Sequence, residues 1–355
     1  MRATRGVALE YDFIISHDES NIYASLANVA PSPKTKAFVE GTLGGLGVVN
    51  LAADLVSEAG MRQALFSTKS KDSLSGNVTF APFAAVSYGR QRLMTGSHVD
   101  VDGFSGLVGI AAHKNFENLS IMGGGFFEFG NAHHKSYNST DSGDVNGKGK
   151  AHYYGLGLLS RLELTDTVMK GLYLEGSLRY GWLYNDWHTD DMIDFSTGKR
   201  AEYDVSHHYY GAHLGIGYIK QAGDSIAFDV YGKLLWSHLN SADTTIADDR
   251  YRFDAINSWR GRVGTRVDFT LTSTVGLYAG VAFEHEFLGE GKAKILVSTM
   301  SYDLPSPSTR GNSVVIESGV MLNNLLEGLN LGVGVTGYLG KRRGINGSLK
   351  VQYVF

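Results

Sequence analysis

The sequence predicts an all-β fold, a transmembrane antiparallel 12-stranded β-barrel with an N-terminal α-helix inside the pore. Three observations carry this expectation. From about residue 77 the chain is a series of segments that alternate apolar and polar residues. The connections between them alternate in length, long then short. The polypeptide ends on a strand with one apolar face, finishing on an aromatic.

Composition sets the bounds. A formal charge of −4 and a pI near 6.3 make no case for nucleic acid as a partner. With no cysteine in 355 residues, disulfide frameworks, thiolate zinc sites and cysteine nucleophiles are excluded. No Pro-rich linker divides the chain, so one large unit with an N-terminal appendage is expected. There is no run of about 18 apolar residues and hence no expected transmembrane helix. Barrel strands need only about 9–11 residues and alternate in polarity. A mean hydropathy of −0.12 therefore fits a barrel as well as a soluble protein. The first ten residues, MRATRGVALE, lack the apolar core of a signal peptide. On the membrane reading this makes the chain a fragment, or one whose upstream part is missing.

The alternating segments lie at about 77–89, 99–114, 118–131, 150–165, 171–184, 206–220, 225–239, 256–271, 274–288, 312–323, 328–340 and 344–355. Residues 258–271 show the pattern most clearly. Trp259, Gly261, Val263, Thr265, Val267, Phe269 and Leu271 share one face; Arg260, Arg262 and Arg266 stand on the other. Three arginines on one strand face do not fit a dry soluble core without partners, but they can face the inside of a barrel. Over 171–184, an apolar stripe ending in aromatics is opposed by Glu175, Ser177 and Arg179. Glycine pairs such as Gly155/Gly157, Gly215/Gly217 and Gly332/Gly334 leave lumen space or permit curvature. Connections 90–98, 132–149, 185–205, 240–255 and 289–311 are long, and those between them short; 341–343 is short and out of step. With an even strand number, the long loops fall on one side, expected to be the cell surface, and the barrel closes without edges.

The first 76 residues differ. Residues 7–29 read as two strands around a turn at His17–Asn21, ended by Pro31 and Pro33. Gly41–Gly47 reads as a flexible linker into a helix over about 46–66, where Leu51 and Leu55 recur at helical spacing with Asp54 and Arg62 at polar positions. The expected organisation is 1–37 as the end of an upstream domain with a linker, 38–76 as linker and pore helix, and 77–355 as barrel.

At this point the chain resembles the C-terminal translocator of a bacterial autotransporter of type Va secretion. The motifs are Gly337-Tyr-Leu-Gly-Lys-Arg-Arg-Gly-Ile-Asn-Gly-Ser-Leu-Lys-Val-Gln-Tyr-Val-Phe355, Ser258-Trp-Arg-Gly-Arg-Val-Gly-Thr-Arg266 and Phe283-Glu-His-Glu-Phe287. Residues 9–27 resemble the last strands of a β-helical passenger, and 46–66 the helix that plugs the barrel. The resemblance implies an outer-membrane barrel that helps its passenger reach the cell surface. It also implies outer-membrane lipid and lipopolysaccharide, the barrel assembly machinery, periplasmic chaperones and its own passenger segment as partners, with the barrel a monomer. No enzyme activity and no cofactor are implied. A porin-like channel, or a surface barrel acting as adhesin, protease or lipase, is the alternative.

The residues follow from these readings. Leu349, Val351, Tyr353 and Phe355 share a face of the last strand and are expected to form an insertion signal, with edge backbone supplying pairing and alternate side chains specificity. The resemblance offers Asn50 as a site of intra-barrel cleavage by cyclisation; Val49-Asn50-Leu51 lacks the Asn-Asn pair of the cleaving group, and a polar helix residue bonded to the wall is preferred. Arg260, Arg262, Arg266, Glu284, Glu286 and Glu317 are expected to face the lumen as ion pairs that hold the helix, in preference to a catalytic carboxylate pair. The pairs His133-His134 and His207-His208 read as solvated loop residues in preference to metal ligands. Gly41–Gly47 has no Walker lysine and is not a nucleotide loop.

Overall fold

The structure is a computed structural model describing residues 1–69, 78–326 and 329–353. The N-terminal strands are β1 (Arg2–Arg5), β2 (Leu9–His17) and β3 (Ile22–Pro31). A single 3-10 turn at Pro33–Thr35 leads into α1 (Lys36–Leu55), a π-turn at Val56–Gly60 and α2 (Met61–Lys69). The later strands are β4 (Thr79–Met94), β5 (His98–Asn115), β6 (Leu119–Thr140), β7 (Gly143–Leu164), β8 (Leu172–Ile193), β9 (Arg200–Gln221), β10 (Ile226–Leu239), β11 (Ala242–Ile246), β12 (Asp249–Phe253), β13 (Ile256–Thr270), β14 (Val275–Glu286), β15 (Ala293–Val297), β16 (Met300–Asp303), β17 (Gly311–Leu326), β18 (Leu329–Gly340) and β19 (Arg342–Tyr353).

Twelve strands close the barrel in the order β10-β13-β14-β17-β18-β19-β4-β5-β6-β7-β8-β9, all pairs antiparallel. Closure joins β19 to β4, from Arg342↔Leu93 to Val351↔Ala84. It satisfies the backbone of both terminal strands, which a hydrocarbon surround demands. Each strand sends alternate residues outward: Leu174, Leu178, Val263, Val281, Ile316 and Leu349 are exposed on the outer wall, as an apolar solvent permits.

Three of the expected long loops are not loops. Residues 90–98, 132–149 and 185–205 continue the ladders of β4–β5, β6–β7 and β8–β9, with turns only at 95–97, 141–142 and 194–199. β6 to β9 each run 22 residues, against about 9–11 needed to span. Above the apolar band a strand no longer meets lipid on one face, so the polarity pattern fades while the hydrogen-bond ladder goes on. The other two long connections, 240–255 and 289–311, carry a second, four-stranded sheet, β11-β12-β15-β16. It packs beside the β1-β2-β3 sheet at the same end of the barrel, where Val7, Leu9, Phe38, Trp187, Tyr251 and Ile295 form one buried cluster.

The expected linker Gly41–Gly47 is helix, buried along its length. The helix passes through the lumen and approaches the wall closely: a Cβ on Gly41 would lie 2.2 Å from the Tyr203 hydroxyl, and one on Gly44 2.6 Å from the His134 ring. Those glycines cost helix propensity and are there for space. Pro33–Phe66 is also long and apolar enough to cross a membrane, with mean hydropathy 1.3 over its best window. It passes that test by length and composition alone: 94% of that window is buried inside the protein.

Candidate functional site

The helix carries its polar residues in a stripe. Asn50, Asp54, Glu58 and Arg62 are spaced by four. In an ideal α-helix each such step advances about 40°, so Arg62 would stand roughly 120° round from Asn50. The wider π-turn at Val56–Gly60 takes back part of that rotation and keeps the stripe on one side of the lumen. The opposite side is apolar: Leu51 packs with Val99, Val101 and Leu183, Leu55 with Phe83, Leu107 and Phe126.

Asp54 is the hub of the polar side. It accepts hydrogen bonds from Arg260 at 2.9 Å, Arg262 at 2.9 Å and Arg342. Glu284 accepts from Arg262 at 2.6 Å, Arg342 at 3.3 Å and Arg260 at 3.5 Å. One carboxylate from the helix, one from a strand and three guanidiniums from two strands thus share one buried site, since Asp54 comes from α1, Glu284 from β14, Arg260 and Arg262 from β13 and Arg342 from β19. One turn on, Glu58 meets Lys233 at 3.1 Å, Arg62 at 3.1 Å and Arg262 at 3.3 Å. Lys233 continues to Glu175 at 3.1 Å, and Glu175 to Arg161 at 3.0 Å. Arg62 also reaches Glu317 at 3.4 Å. On the far wall Arg179 pairs with Glu128 at 3.0 Å and donates to the helix carbonyl of Val49 at 3.4 Å. Buried charges are tolerated only when paired this fully.

Other expected residues take different places. Arg266 faces inward but bonds Asp268 at 2.7 Å and stacks on the Tyr278 ring, 3.7 Å from its centre, and does not join the Asp54–Glu284 site. Glu286 accepts from the Ser258 hydroxyl at 2.5 Å and the Trp259 N–H at 2.9 Å. Ser258 in turn accepts from the Asn50 side-chain amide at 3.2 Å. Leu349 and Val351 are exposed on the outer face of β19. Tyr353 is the last residue of β19, and Phe355 lies outside the described residues.

The histidine expectation is corrected. His133-His134 and His207-His208 lie within β6 and β9, one of each pair facing inward. His134 is buried against Asn185 at 2.8 Å and His207 against the Asn240 carbonyl at 2.6 Å. Among the described residues, no three His, Asp or Glu side chains gather as a metal site would require.

Sequence reasoning did not single out Arg342 or Lys233, and it took Glu58 only as a polar position of the helix. The signal for Arg342 was present: it shares the even-numbered, inward parity of Asn346 and Lys350, but lay in a segment read as a turn.

The comparisons with known proteins agree with this geometry. A family model described as Autotransporter beta-domain matches residues 94–336. No curated protein matches the sequence. Among solved structures, the translocator domain of the autotransporter NalP from Neisseria meningitidis is 16% identical, covering 87% of this chain and 98% of that one, with TM-score 0.59. The transport unit of AIDA-I from Escherichia coli is 15% identical, covering 86% and 99%, with TM-score 0.57. The β domain of the Bordetella autotransporter BrkA is 15% identical, covering 78% and 99%, with TM-score 0.56. At such identities these likenesses speak for the fold, and the family model, which spans well over half of the residues, speaks for descent: this chain belongs to the autotransporter beta-domain family, the outer-membrane β-barrel translocators of type V secretion.

Proposed function

We propose that the barrel exports its own N-terminal passenger and that the helix Lys36–Lys69 then closes the route as a plug, with β1–β3 as the tail of the passenger outside. The observation that supports this is the helix itself, threaded through the lumen and paired by its Asn50–Arg62 stripe to β10, β13, β17 and β19. A segment that connects an exterior sheet to the first barrel strand through the pore is what an exported chain leaves behind. The end carrying β11–β12 and β15–β16 then faces the cell exterior, and the short turns face the periplasm. Family members of this kind are transport units; the lumen carboxylates here are read as structural partners, not as a catalytic pair, and Asn50 as a wall contact, not a cleavage site.

The terminal strand is read as the insertion signal, recognised by the barrel assembly machinery through Leu349, Val351, Tyr353 and Phe355, with periplasmic chaperones delivering the chain and the finished barrel monomeric. The testing experiment is planar-bilayer conductance of the full chain and of a variant lacking residues 38–66. A plugged translocator conducts far more after the deletion. Equal conductance from both forms would point to a porin-like channel and overturn the plug.

A further inference from the structure

We infer that the outer wall at the barrel seam, where β19 meets β4, is a binding site for a phosphorylated glycolipid of the outer leaflet. The inference rests on the outer-membrane reading and on the orientation proposed above. At most of the exterior end, strands and hairpins rise well above the band of apolar side chains. At β18–β19 and β4–β5 they do not: the connections are Lys341 alone and residues 95–97. The rim there is low, and outward side chains stand at the level where headgroups meet hydrocarbon.

Those side chains are mostly cationic. Arg343 of β19 pairs in register with Arg92 of β4, Arg92 with Asp100 of β5, Asp100 with Lys135 of β6 and Lys135 with Lys148 of β7. One step lower, Arg90 pairs with Asp102, Asp102 with His133 and His133 with Lys150. Six fixed cations therefore face outward against two carboxylates before Asp186 of β8 closes the row. Like charges opposite one another on adjacent strands repel, yet Arg343 and Arg92 are placed so. Arg92 and Arg90 each hold one aspartate, at 2.6 and 2.8 Å. Arg343 bonds only the Gly340 carbonyl, at 3.0 Å, among the described residues. Each guanidinium has five N–H donors, so these arginines keep donors free for phosphate oxygens, the partner that their planar fork suits.

Directly below lies an external groove. Gly347 forms its floor, since a Cβ there would meet nothing closer than the Tyr88 carbonyl at 3.9 Å. Val86, Tyr88, Phe104, Val335, Ile345 and Leu349 line it, and Arg90 stands at its upper edge. Ile345 is 58% and Tyr88 56% exposed, as befits walls made for acyl chains. An apolar channel for a chain, crowned by cations for a phosphate, fits an amphiphile with an anionic head. Because the crown is at the exterior end, the occupant is the phosphorylated glycolipid of the outer leaflet, not a phospholipid of the inner one.

The test uses the full chain, extracted or refolded in detergent, with native mass spectrometry of retained lipid. Bisphosphorylated lipid A, enzymatically dephosphorylated lipid A and phosphatidylglycerol are the probes. The unaltered protein should hold bisphosphorylated lipid A at least about tenfold more tightly than the dephosphorylated form, the scale of one charge-assisted contact. The variant Arg90→Gln/Arg92→Gln/Arg343→Gln should lose that preference while its heat-modifiable gel mobility stays intact. Gly347→Leu should weaken both forms of lipid A alike by filling the groove. Should the triple variant fail to fold, Arg343→Gln alone carries the test, because its guanidinium supports no ion pair. Equal retention by wild type and variant, no preference for phosphate, or phosphatidylglycerol held as tightly as lipid A would each overturn the inference. None of these outcomes would disturb the barrel or its plug, which the mobility shift and conductance report separately.

Discussion

At the scale of single residues, Asp54 decides most. Its carboxylate answers three guanidiniums from two different strands. Removing one member of a buried ionic site leaves charge uncompensated, at about 3–5 kcal/mol; here three guanidiniums would be left to Glu284. Asp54→Ala should therefore lower the temperature at which the folded gel band is lost and add flickering openings to the single-channel record. If stability and conductance both match the parent, the hub role is wrong. Asp18, in the β2–β3 turn outside the barrel, offers a pH test. The Ser20 N–H, the Tyr23 hydroxyl and the Asn21 N–H donate to its carboxylate at 2.8, 2.7 and 2.7 Å. They lower its pKa from 3.8 to about 2. Because the folded value lies below the unfolded one, the turn's contribution is complete above pH 3.8 and is lost as pH falls through about 2. Amide exchange at Ser20 and Asn21 should stay slow at pH 4 and speed up toward pH 2; an Asp18 that titrates near 3.9 would contradict this.

At the scale of elements, the barrel strands were legible and the first half of the helix was not. A strand half in lipid and half in a polar lumen must alternate, so Arg260, Arg262, Glu284 and Glu286 show their inward face in the sequence. The helix is surrounded by protein on every side. Its periodicity is therefore weak, and Gly41, Gly44, Gly45 and Gly47 look like linker because glycine disfavours helix when nothing else acts. In the lumen the wall acts: His134, Trp187 and Tyr203 occupy the space where side chains would be. Gly44→Val should cost about 1–3 kcal/mol by overpacking, read as a drop in the thermal midpoint of the detergent-solubilised protein. Tolerance of valine there would show that the helix stands farther from β6 than the geometry requires.

At the scale of the whole molecule, closure is the controlling event. β19 and β4 are the two ends of the barrel sequence, and no backbone donor of either can be left open in hydrocarbon. Deleting Phe355 should reduce the membrane-inserted fraction several-fold in cells, while the same protein assembled in detergent keeps its heat-modifiable mobility. A loss of both to the same extent would make Phe355 an ordinary packing residue and not part of a signal. The proposed plug tests on the same scale: residues 38–66 lie in the lumen, and their removal should raise the conductance.

The sequence by itself determined the strand number, the antiparallel order, the inward and outward parity and the presence of a pore helix, because each follows from a two-residue repeat or from a chain passing through a polar-lined tube. Only the tertiary structure decided which charges meet. Arg342 lies far along the chain from Asp54, and no local pattern links them; closing β19 onto β4 brings one to the other. It also decided where strands end, because above the membrane the solvent on their outer face changes while the hydrogen bonding between them does not.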